Sequence, residues 1–470
     1  MKNTIKKNSR NLYLSKIVGL FLIGITVATS SCDDFVQVQV PSNQLSSPLV
    51  FENNSTATAA LVAIYAQLRD KGLLTGSPNG MQAKLGEYTD ELTFYGAGGQ
   101  TDASFYTNIV LPSNGDIKNW WNTTYQQLYA TNALLEGVEN SKSLTTLQKE
   151  QLKGEGLFIR ALLHFHLTNL FGAVPYIKTT DYIVNNKVGK ISTLEVYENA
   201  AVDLLEAEVL LGVDYISSER VRPNKATVQA LLARLYLYSE RWAEAANSAS
   251  AVLNNAALYE GAQDFNAVFL KNSFSTIWQL IPAREGENTL EGQANIFLQG
   301  PPPVYALSMN FVNSFEAGDL RRTQWIKEVT NGTAVWYHAY KYKAYNNSQG
   351  SVEYSIVFRT AELYLIRAEA RAQQGELTSA LEDLNKIRNK AGLANTSAVN
   401  AEQILNAIVK ERKSELFTEG HRFFDLKRNN LLNEILSPLK PGWDANDQLL
   451  PLPETELLLN PNLKPQNPGY

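Results

Sequence analysis

The stretch Thr360–Gly392 reads TAELYLIRAEARAQQGELTSALEDLNKIRNKAG and indicates the fold of the chain. Apolar residues recur every three or four positions on both sides of Gly375, which is the spacing that gives a helix one apolar face. Glycine often ends a helix because it adopts the left-handed backbone conformation without strain, so Gly375 and Gly392 are predicted helix stops. The stretch therefore predicts two helices, Thr360–Gln374 and Glu376–Lys390, joined by a tight turn.

A second predicted helix pair upstream has the same spacing of small residues. Ala233 and Ala245 are 12 positions apart, and so are Ala368 and Ala380. This interval separates the two helices of a tetratricopeptide unit, in which small side chains let the helices approach closely. The pattern favours tetratricopeptide-like hairpins, and ordinary helix pairs in an irregular α domain are the alternative.

Helical periodicity extends over most of the chain, with Gly72 and Gly172 as further stops. The other predicted helices are 58–70, 121–138, 147–171, 193–211, 226–240, 242–253 and 401–419. The segment 263–354 differs, because it combines short aromatic and β-branched runs at 275–281 and 334–345 with Pro, Gly and Asn. We predict a mainly α protein in which tetratricopeptide-like helical hairpins form a scaffold. An irregular region of loops and short strands, which includes the loop 91–119, packs on that scaffold and is the expected place for binding residues.

The first 31 residues have the pattern of a cleaved signal peptide. Basic residues precede the apolar run 17–27, which is followed by the small residues 28–31 and by Cys32. The apolar run is shorter than the roughly 20 residues that span a bilayer, and no later stretch qualifies. Cys32 lies where a bacterial lipoprotein is cut and acylated, although Thr29 replaces the usual aliphatic residue and a free thiol is the alternative. We predict export, lipidation at Cys32 and a tether over 32–48.

Charge argues against a nucleic-acid partner. The chain has 42 Lys and Arg against 47 Asp and Glu. Five of the basic residues and none of the acidic ones precede Cys32, so the chain from Cys32 onward has 37 basic and 47 acidic residues and a formal charge of −10. An acidic chain without a basic patch lacks the electrostatic surface that binds phosphates.

The sequence shows no constellation typical of catalysis or metal binding. His164 and His166 are two positions apart on a predicted helix, so they face different directions and are a poor metal pair; they are expected to be core or groove histidines with satisfied nitrogens. Glu411 and Glu415 share a helix face and could serve as general acid and base. The arginines interleaved with them favour a structural ion-pair network instead. We predict a protein that is not an enzyme and has no catalytic residue, metal or cofactor.

Ordered motifs along the chain resemble those of the SusD/RagB family of nutrient-binding outer-membrane lipoproteins. The motifs are CDDF (32–35), PSN (41–43), RA (160–161), LFGAVP (170–175), ALLARLY (230–236), AELYLIRAEA (361–370), ERKSEL (411–416), EGHRFFDL (419–426), LPLP (450–453), NPNL (460–463) and QNPGY (466–470). They cover nearly all of the chain after Cys32, in order.

The resemblance implies a surface-exposed lipoprotein of a Bacteroidetes-type outer membrane with four tetratricopeptide-like hairpins. It implies a SusC-like TonB-dependent β-barrel transporter as partner, to which a glycan or, in some members, a peptide is delivered. The expected divisions are a signal peptide (1–31), a tether (32–48), an N-terminal SusD-like helical region (49–260) and a C-terminal RagB/SusD region (261–470). The last contains the irregular insertion 263–354 and tetratricopeptide-like helices over 360–430. A lipid-anchored glycoside hydrolase and a scaffold that binds only proteins are the alternatives.

No motif specifies the ligand site, so we infer it from chemistry. A sugar presents an apolar C–H face and a rim of hydroxyl groups, so its site needs aromatic rings surrounded by polar side chains. Two stretches offer this combination, and packing in the core is the alternative for each residue. The candidates are Asp90, Phe94, Tyr95, Gln100, Asp102, Tyr106, Tyr305, Trp325, Trp336 and Tyr337. Trp120, Trp121 and Trp278 are left out as expected core residues.

Overall fold

The computed structural model describes residues 47–97, 103–259 and 264–470. Phe51–Tyr470 form one packed unit, and the short helix α1, Ser47–Val50, precedes it in the sequence. Cys32, Gln100 and Asp102 lie outside the described residues, so lipidation and two of the candidate ligand contacts stay predictions. None of the helices in the described ranges has the length and apolar character needed to cross a membrane.

Helices dominate the described chain, as predicted. They are α2 Asn54–Asp70, α3 Met81–Tyr88, α4 Ser104–Thr107, α5 Gly115–Asn140, α6 Thr146–Phe171, α7 Tyr182–Asn185, α8 Thr193–Leu210, α9 Lys225–Tyr238, α10 Trp242–Leu253, α11 Ala256–Tyr259, α12 Leu290–Asn295, α13 Met309–Val312, α14 Leu320–Gln324, α15 Thr360–Gln373, α16 Leu377–Lys390, α17 Ala401–Leu416, α18 Arg422–Arg428, α19 Leu432–Leu436 and α20 Glu454–Leu459. Two 3₁₀ helices span Ala445–Gln448 and Pro461–Leu463. The strands are β1 Leu92–Phe94, β2 Thr276–Leu280, β3 Tyr305–Leu307, β4 Ile326–Thr330, β5 Val335–Ala339 and β6 Ser355–Arg359.

The long helices pack as a series of pairs. α2 packs on α5, α6 on α8, α9 on α10 and α15 on α16, and successive pairs also contact one another. Ala233, Ala245, Ala368 and Ala380 are all fully buried at these contacts. Small side chains at such positions let two helix backbones approach closely, which confirms the prediction of a scaffold of helical hairpins.

Most predicted helix ends agree with the structure, and the differences have local causes. Gly72, Gly172, Gly375 and Gly392 all have positive φ values directly after helices, as predicted. α5 begins before the predicted start because the Asn114 side chain accepts hydrogen bonds from two backbone N–H groups of its first turn. α17 ends at Leu416, before the predicted end at 419, because Thr418 has a left-handed backbone conformation that breaks the helix.

A four-stranded antiparallel sheet has the strand order β1-β3-β5-β4. Phe94 lies opposite Tyr305, and Leu307 lies opposite Tyr337. β2 and β6 form a separate antiparallel pair. The predicted runs 275–281 and 334–345 contain β2 and β5. The prediction of a loop over 91–119 was wrong in part, because that stretch contains β1, α4 and the start of α5.

The core of the C-terminal half lies between the four-stranded sheet and the helices around it. Trp325, Phe311 and Phe417 are fully buried there and pack on one another. Trp120, Trp121 and Trp278 are buried elsewhere in the unit, as expected. One face of the sheet therefore packs against the core, so a ligand can contact only the other face or the edge of the sheet.

The C-terminal segment returns to the end of α6. The Leu450 N–H donates to the Leu170 carbonyl at 2.9 Å. The Asn467 side-chain amide donates to the Phe171 carbonyl at 2.9 Å and to the Leu450 carbonyl at 2.7 Å. Asn467 is buried, so these hydrogen bonds satisfy carbonyl groups that a helix end would otherwise leave open.

Candidate functional site

Tyr95 lies at the edge of the four-stranded sheet, directly after β1. The backbone N–H groups of Tyr95 and Gly96 both donate to the Val304 carbonyl, at 2.7 and 3.0 Å. These bonds fix the turn after β1 to the segment that leads into β3. The Tyr95 side chain is 41% exposed. Its aromatic ring, a predicted ligand contact, therefore reaches solvent while its backbone is held in place.

Trp336 projects from β5 on the face of the sheet that does not meet the core. Its neighbour Tyr337 packs against the core cluster, and adjacent residues of a strand point to opposite faces. The half-buried Trp336 indole lies directly on Gly300, where an added Cβ would overlap the ring. Gly300 is therefore required for this position of the indole.

Tyr95, Trp336 and Tyr106 are neighbours in space. The pKa of Tyr95 is raised above its ordinary value, first by partial burial and then by the nearby Tyr106 phenol. The polar N–H of the nearby Trp336 indole acts in the opposite direction and lowers the pKa of Tyr95. We call these three residues the aromatic cluster. Tyr95 and Tyr106 are 11 positions apart, whereas Trp336 is more than 200 positions further along the chain.

Lys440 packs against the ring of Tyr106. Its Nζ lies 4.0 Å from the centre of the Tyr106 ring and donates to the carbonyls of Tyr106 at 3.1 Å and Glu87 at 2.6 Å. Burial lowers the pKa of Lys440 to about 8, although Glu87 and Asp90 act against that shift. The ammonium therefore packs on one face of the half-buried Tyr106 ring as a cation–π contact.

The polar candidate Asp90 has no access to a ligand in the structure. It is buried and accepts hydrogen bonds from Arg422 at 2.7 and 2.9 Å, with Lys413 at 2.9 Å. Burial alone would raise the pKa of Asp90, but the charges of Arg422 and Lys413 bring it well below its ordinary range. Asp90 therefore joins β1 to α18, and we leave it out of the candidate site.

Four of the aromatic candidates pack in ways that separate them from the cluster. Tyr305 and Trp325 are buried in the core, and the Trp325 indole donates to the Phe265 carbonyl at 3.3 Å. Tyr337 donates its hydroxyl to Glu328 at 3.0 Å, and Phe94 is half-buried with its ring against Gly96. Among the described candidates, the site is therefore reduced to Tyr95, Tyr106 and Trp336, and Gln100 and Asp102 remain predictions.

The carboxylates of Glu411 and Glu415 on α17 form ion pairs with arginines. Arg321 contacts Glu411 at 2.7 Å and Glu415 at 3.1 Å, and Arg359 contacts Glu415 at 2.5 Å. All four side chains are buried, with no path for a substrate between them. This confirms the prediction of a structural ion-pair network in place of a general acid and base.

The two histidines of α6 have separate surroundings, as their spacing predicted. His164 stacks on Tyr176, contacts the Arg160 carbonyl at 2.9 Å and accepts from the Ile177 N–H at 3.1 Å. His166 is buried, but neither of its ring nitrogens has a partner among the described residues, so the expectation of a satisfied histidine was wrong. The described residues contain no group of three or more His, Cys, Asp or Glu side chains placed to hold a metal ion.

Sequence reasoning missed two residues that position the aromatic cluster. Neither Gly300 nor Lys440 was among the candidate residues. No local pattern marks either residue, because their partners Trp336 and Tyr106 are distant in the sequence. The chemistry of the resulting site is that of neutral rings with exposed faces, which suits an apolar ring face of a ligand.

Comparison with protein-family models gives two matches. Residues 308–470 match the SusD family, and residues 54–237 match a model described as starch-binding and associating with the outer membrane. Among similar proteins, SusD-like protein P2 of Formosa agariphila is 30% identical over 415 residues, which cover 76% of this chain and 81% of that protein. SusD-like protein P25 of the same organism is 23% identical and covers 95% of this chain and 97% of its own length.

Solved structures show the same fold. A laminarin-binding SusD-like protein superposes with a TM-score of 0.75 at 24% identity, covering 89% of this chain and all of that one. A SusD superfamily protein from Parabacteroides distasonis also has a TM-score of 0.75, at 23% identity, and covers 91% of this chain and all of its own. At these identities the similarity establishes the architecture of hairpins and irregular region.

Proposed function

This chain belongs to the SusD family, and from that premise we propose that it is a binding protein that captures an oligosaccharide or polysaccharide nutrient at the cell surface. The main support from the molecule itself is the aromatic cluster, in which Trp336 lies on the sheet face away from the core and Tyr95 and Tyr106 lie near it by the β1 edge. The fold shared with a laminarin-binding protein is consistent with this role.

The aromatic cluster is suited to a sugar ring. An indole and a phenol each present a flat apolar face with a polar group at the rim, so they can stack on the apolar C–H face of a pyranose. Gly300 and Lys440 fix the rings of Trp336 and Tyr106 before a ligand arrives, which reduces the entropic cost of binding. The Tyr95 phenol is neutral near pH 7, as an ordinary tyrosine is, so its hydroxyl can donate a hydrogen bond to the ligand.

The proposal extends to anchoring and transport. Acyl chains on Cys32 would hold the acidic chain at the outer membrane without a basic patch. From that place the protein would pass its ligand to a SusC-like TonB-dependent transporter. The signal-peptide pattern before Cys32 and the family description of association with the outer membrane support this part of the proposal.

Binding can be tested by affinity gel electrophoresis in laminarin, starch, xylan and mannan, followed by calorimetry with the matching oligosaccharide. We expect the wild-type protein to be retarded by at least one polysaccharide. Trp336→Ala and Tyr95→Ala should each weaken binding about tenfold or more, which corresponds to about 1.4 kcal/mol. Phe274→Ala is a control, since it removes another exposed aromatic ring from a loop outside the cluster and should leave the affinity unchanged.

Unchanged affinity in both cluster variants would reject the aromatic cluster as the binding surface. Release of reducing sugar from a polysaccharide by the purified protein would favour the hydrolase alternative. Failure to bind any glycan, together with binding of peptides, would replace the carbohydrate part of the proposal.

A further inference from the structure

A groove of about 500 Å³ lies beside α5 and contains none of the aromatic cluster residues. Three segments form it: one face of α5, the segment that includes Pro175 and α7, and the segment from α20 to Leu463. The volume falls within the range of sites that enclose small molecules. No candidate residue from the sequence lies in this groove.

Aromatic rings form the floor of the groove. Trp121, Tyr125 and Tyr129 are spaced four residues apart, so they lie on one face of α5. Trp121 is buried and contacts Tyr125 with their rings 4.9 Å apart, whereas Tyr129 is 56% exposed. Tyr182 of α7 also lines the groove and is 70% exposed. The Trp121 end of the floor is therefore packed into the protein, and the Tyr129 end is open to solvent.

Hydrogen bonds hold the first wall on α5. The Tyr125 hydroxyl donates to the Pro175 carbonyl at 3.0 Å. The Asn132 amide donates to the Ile177 carbonyl at 3.0 Å, and the Thr180 N–H donates to Glu136 at 2.8 Å. Tyr125, Asn132 and Glu136 follow one face of the helix, so they pin this segment along three helical turns.

The second wall is tied to the chain that follows α7. The side-chain amide of Asn460 donates to the Val188 carbonyl at 3.0 Å, and that of Asn462 donates to the Lys187 carbonyl at 2.9 Å. The Lys190 ammonium donates to the Pro465 carbonyl at 2.6 Å. Both walls are therefore fixed before any ligand binds, which favours affinity.

The polar lining consists mainly of amides with unused hydrogen-bonding capacity. The side chains of Asn122, Gln126 and Asn186 make no hydrogen bond to another described residue, and all three line the groove. The Asn185 amide donates to the Thr179 carbonyl at 2.8 Å, but its buried Oδ1 has no partner in the described chain. A buried acceptor without a partner is costly unless a ligand or water donates to it.

The charge of the lining favours a neutral ligand. None of the described residues that line the groove is Lys or Arg, and the one carboxylate is Glu456. Burial raises the pKa of Glu456, with Lys118 acting against the shift, so the carboxylate is held close to aromatic rings and away from bulk water. Amides and a carboxylate around aromatic rings match the hydroxyl rim and apolar face of a sugar.

We propose that this groove is a second carbohydrate-binding site, which takes a short neutral oligosaccharide. The inference takes its class of ligand, a carbohydrate, from the proposed function. It places that ligand at a different site on the molecule. Two sites on one chain would raise the avidity for a long polysaccharide that can reach both.

The test is calorimetry with a panel of laminari-, malto-, xylo- and manno-hexaose, with the number of bound molecules per chain as the first readout. Tyr129→Ala combined with Tyr182→Ala alters the groove at two mostly exposed positions, so folding should be preserved. We expect the wild type to bind two molecules, and Trp336→Ala and the groove double variant to bind one each. Tyr129→Phe with Tyr182→Phe should retain both sites, because stacking needs the rings and not the hydroxyls.

The outcomes separate the two proposals. One bound molecule that is lost in Trp336→Ala and unaffected in the groove variant would overturn this inference and leave the proposed function intact. One molecule lost only in the groove variant would support the groove and reject the aromatic cluster as the binding surface. No saccharide bound by the wild type would overturn both. A photo-crosslinker at position 129 that captures a protein, with saccharide binding unchanged in the groove variant, would make the groove a protein contact.

Discussion

Arg359 illustrates how single buried residues hold this molecule together. Its guanidinium contacts Glu415 at 2.5 Å and Glu419 at 2.7 Å and donates to the Glu415 carbonyl at 2.7 Å. It lies at the junction of β6 and α15, whereas both carboxylates come from α17 and the turn after it. Removing Arg359 would leave Glu415 and Glu419 buried with one cation fewer each, so that Arg321 and Lys341 alone would have to compensate their charges.

We expect Arg359→Met to lower the free energy of unfolding by about 3–5 kcal/mol, the range measured when one partner of a buried ion pair is removed. Urea denaturation followed by circular dichroism measures the change. Arg241→Met is the matched control, since Arg241 and Glu244 pair at 2.7 Å but are 47% and 43% exposed. The control should lose at most about 1 kcal/mol. Equal losses in the two variants would contradict this account of the network.

His166 gives a prediction for pH. Burial lowers its pKa to about 3, and the charges of Arg234 and His421 add to the shift. In the unfolded chain a histidine has a pKa near 6.5, so between pH 6.5 and 3 the unfolded state binds a proton that the folded state does not. This contribution therefore reduces stability as the pH falls below about 6.5.

Replacing His166 by Leu removes that proton linkage. From pH 7 to pH 5, the unfolding free energy of the variant relative to the wild type should shift in favour of the variant by about 2 kcal/mol. Urea denaturation at pH 7, 6 and 5 measures the shift. The relative change with pH is the test, since the variant can also gain or lose a constant amount from packing. Parallel pH profiles for the two proteins would show that His166 is not the group responsible.

At the scale of elements, the close contact of α9 and α10 depends on the size of one side chain. Ala245 is fully buried between these helices, whereas Ala251 on the same helix is exposed. Adding atoms to a well-packed contact forces side chains and backbone to shift, at a cost of about 1–3 kcal/mol.

Ala245→Leu should therefore lower the free energy of unfolding by about 1–3 kcal/mol or more, and Ala251→Leu should change it by less than about 0.5 kcal/mol. Thermal and urea denaturation of both variants make the comparison. Both substitutions have nearly the same effect on helix propensity, so the difference reports the contact between helices. A similar loss at position 251 would point to a cause other than helix packing.

The sequence predicted helices better than strands for a physical reason. A helix is stabilised along its own length, so Ala401–Leu416 or Trp242–Leu253 can be recognised from local periodicity. β1 has three residues and is defined by hydrogen bonds to β3, more than 200 positions away. Nothing in the local pattern of Leu92–Phe94 indicates that partner.

The same distinction applies to the candidate site. Tyr95 and Trp336 could be named because they lie in aromatic stretches outside the predicted helices. Asp90 and Trp325 lie in the same kinds of stretch, but the structure places one against Arg422 and the other in the core. The groove beside α5 was missed because its three segments meet only in the folded chain. Tyr125 and Tyr129 both fall in the predicted helix 121–138, and only the structure shows that Tyr129 is exposed.

At the scale of the whole molecule, the proposed anchor is a single residue. The chain from Cys32 onward has a formal charge of −10, so anionic lipids would repel it. Attachment to the membrane would then depend on acyl chains at Cys32. Two or three chains bind a membrane far more stably than one.

We expect Cys32→Ala, expressed in a Bacteroidetes host, to take up no palmitate analogue and to leave the membrane fraction. Metabolic labelling and fractionation measure the two effects, and a Thr29→Leu variant serves as a control that should remain labelled. Purified Cys32→Ala lacking the signal peptide should bind glycan as before. Continued labelling of Cys32→Ala would reject the assignment of the acylated residue.

The hydrogen bonds between the C-terminal segment and the end of α6 affect when the chain can fold during its synthesis. Leu170 and Phe171 receive their partners from Leu450 and Asn467, which the ribosome adds almost 300 residues later. A nascent chain that stops short of these residues has carbonyl groups at the end of α6 that only water can satisfy. The native unit therefore closes only after synthesis of the chain is nearly complete.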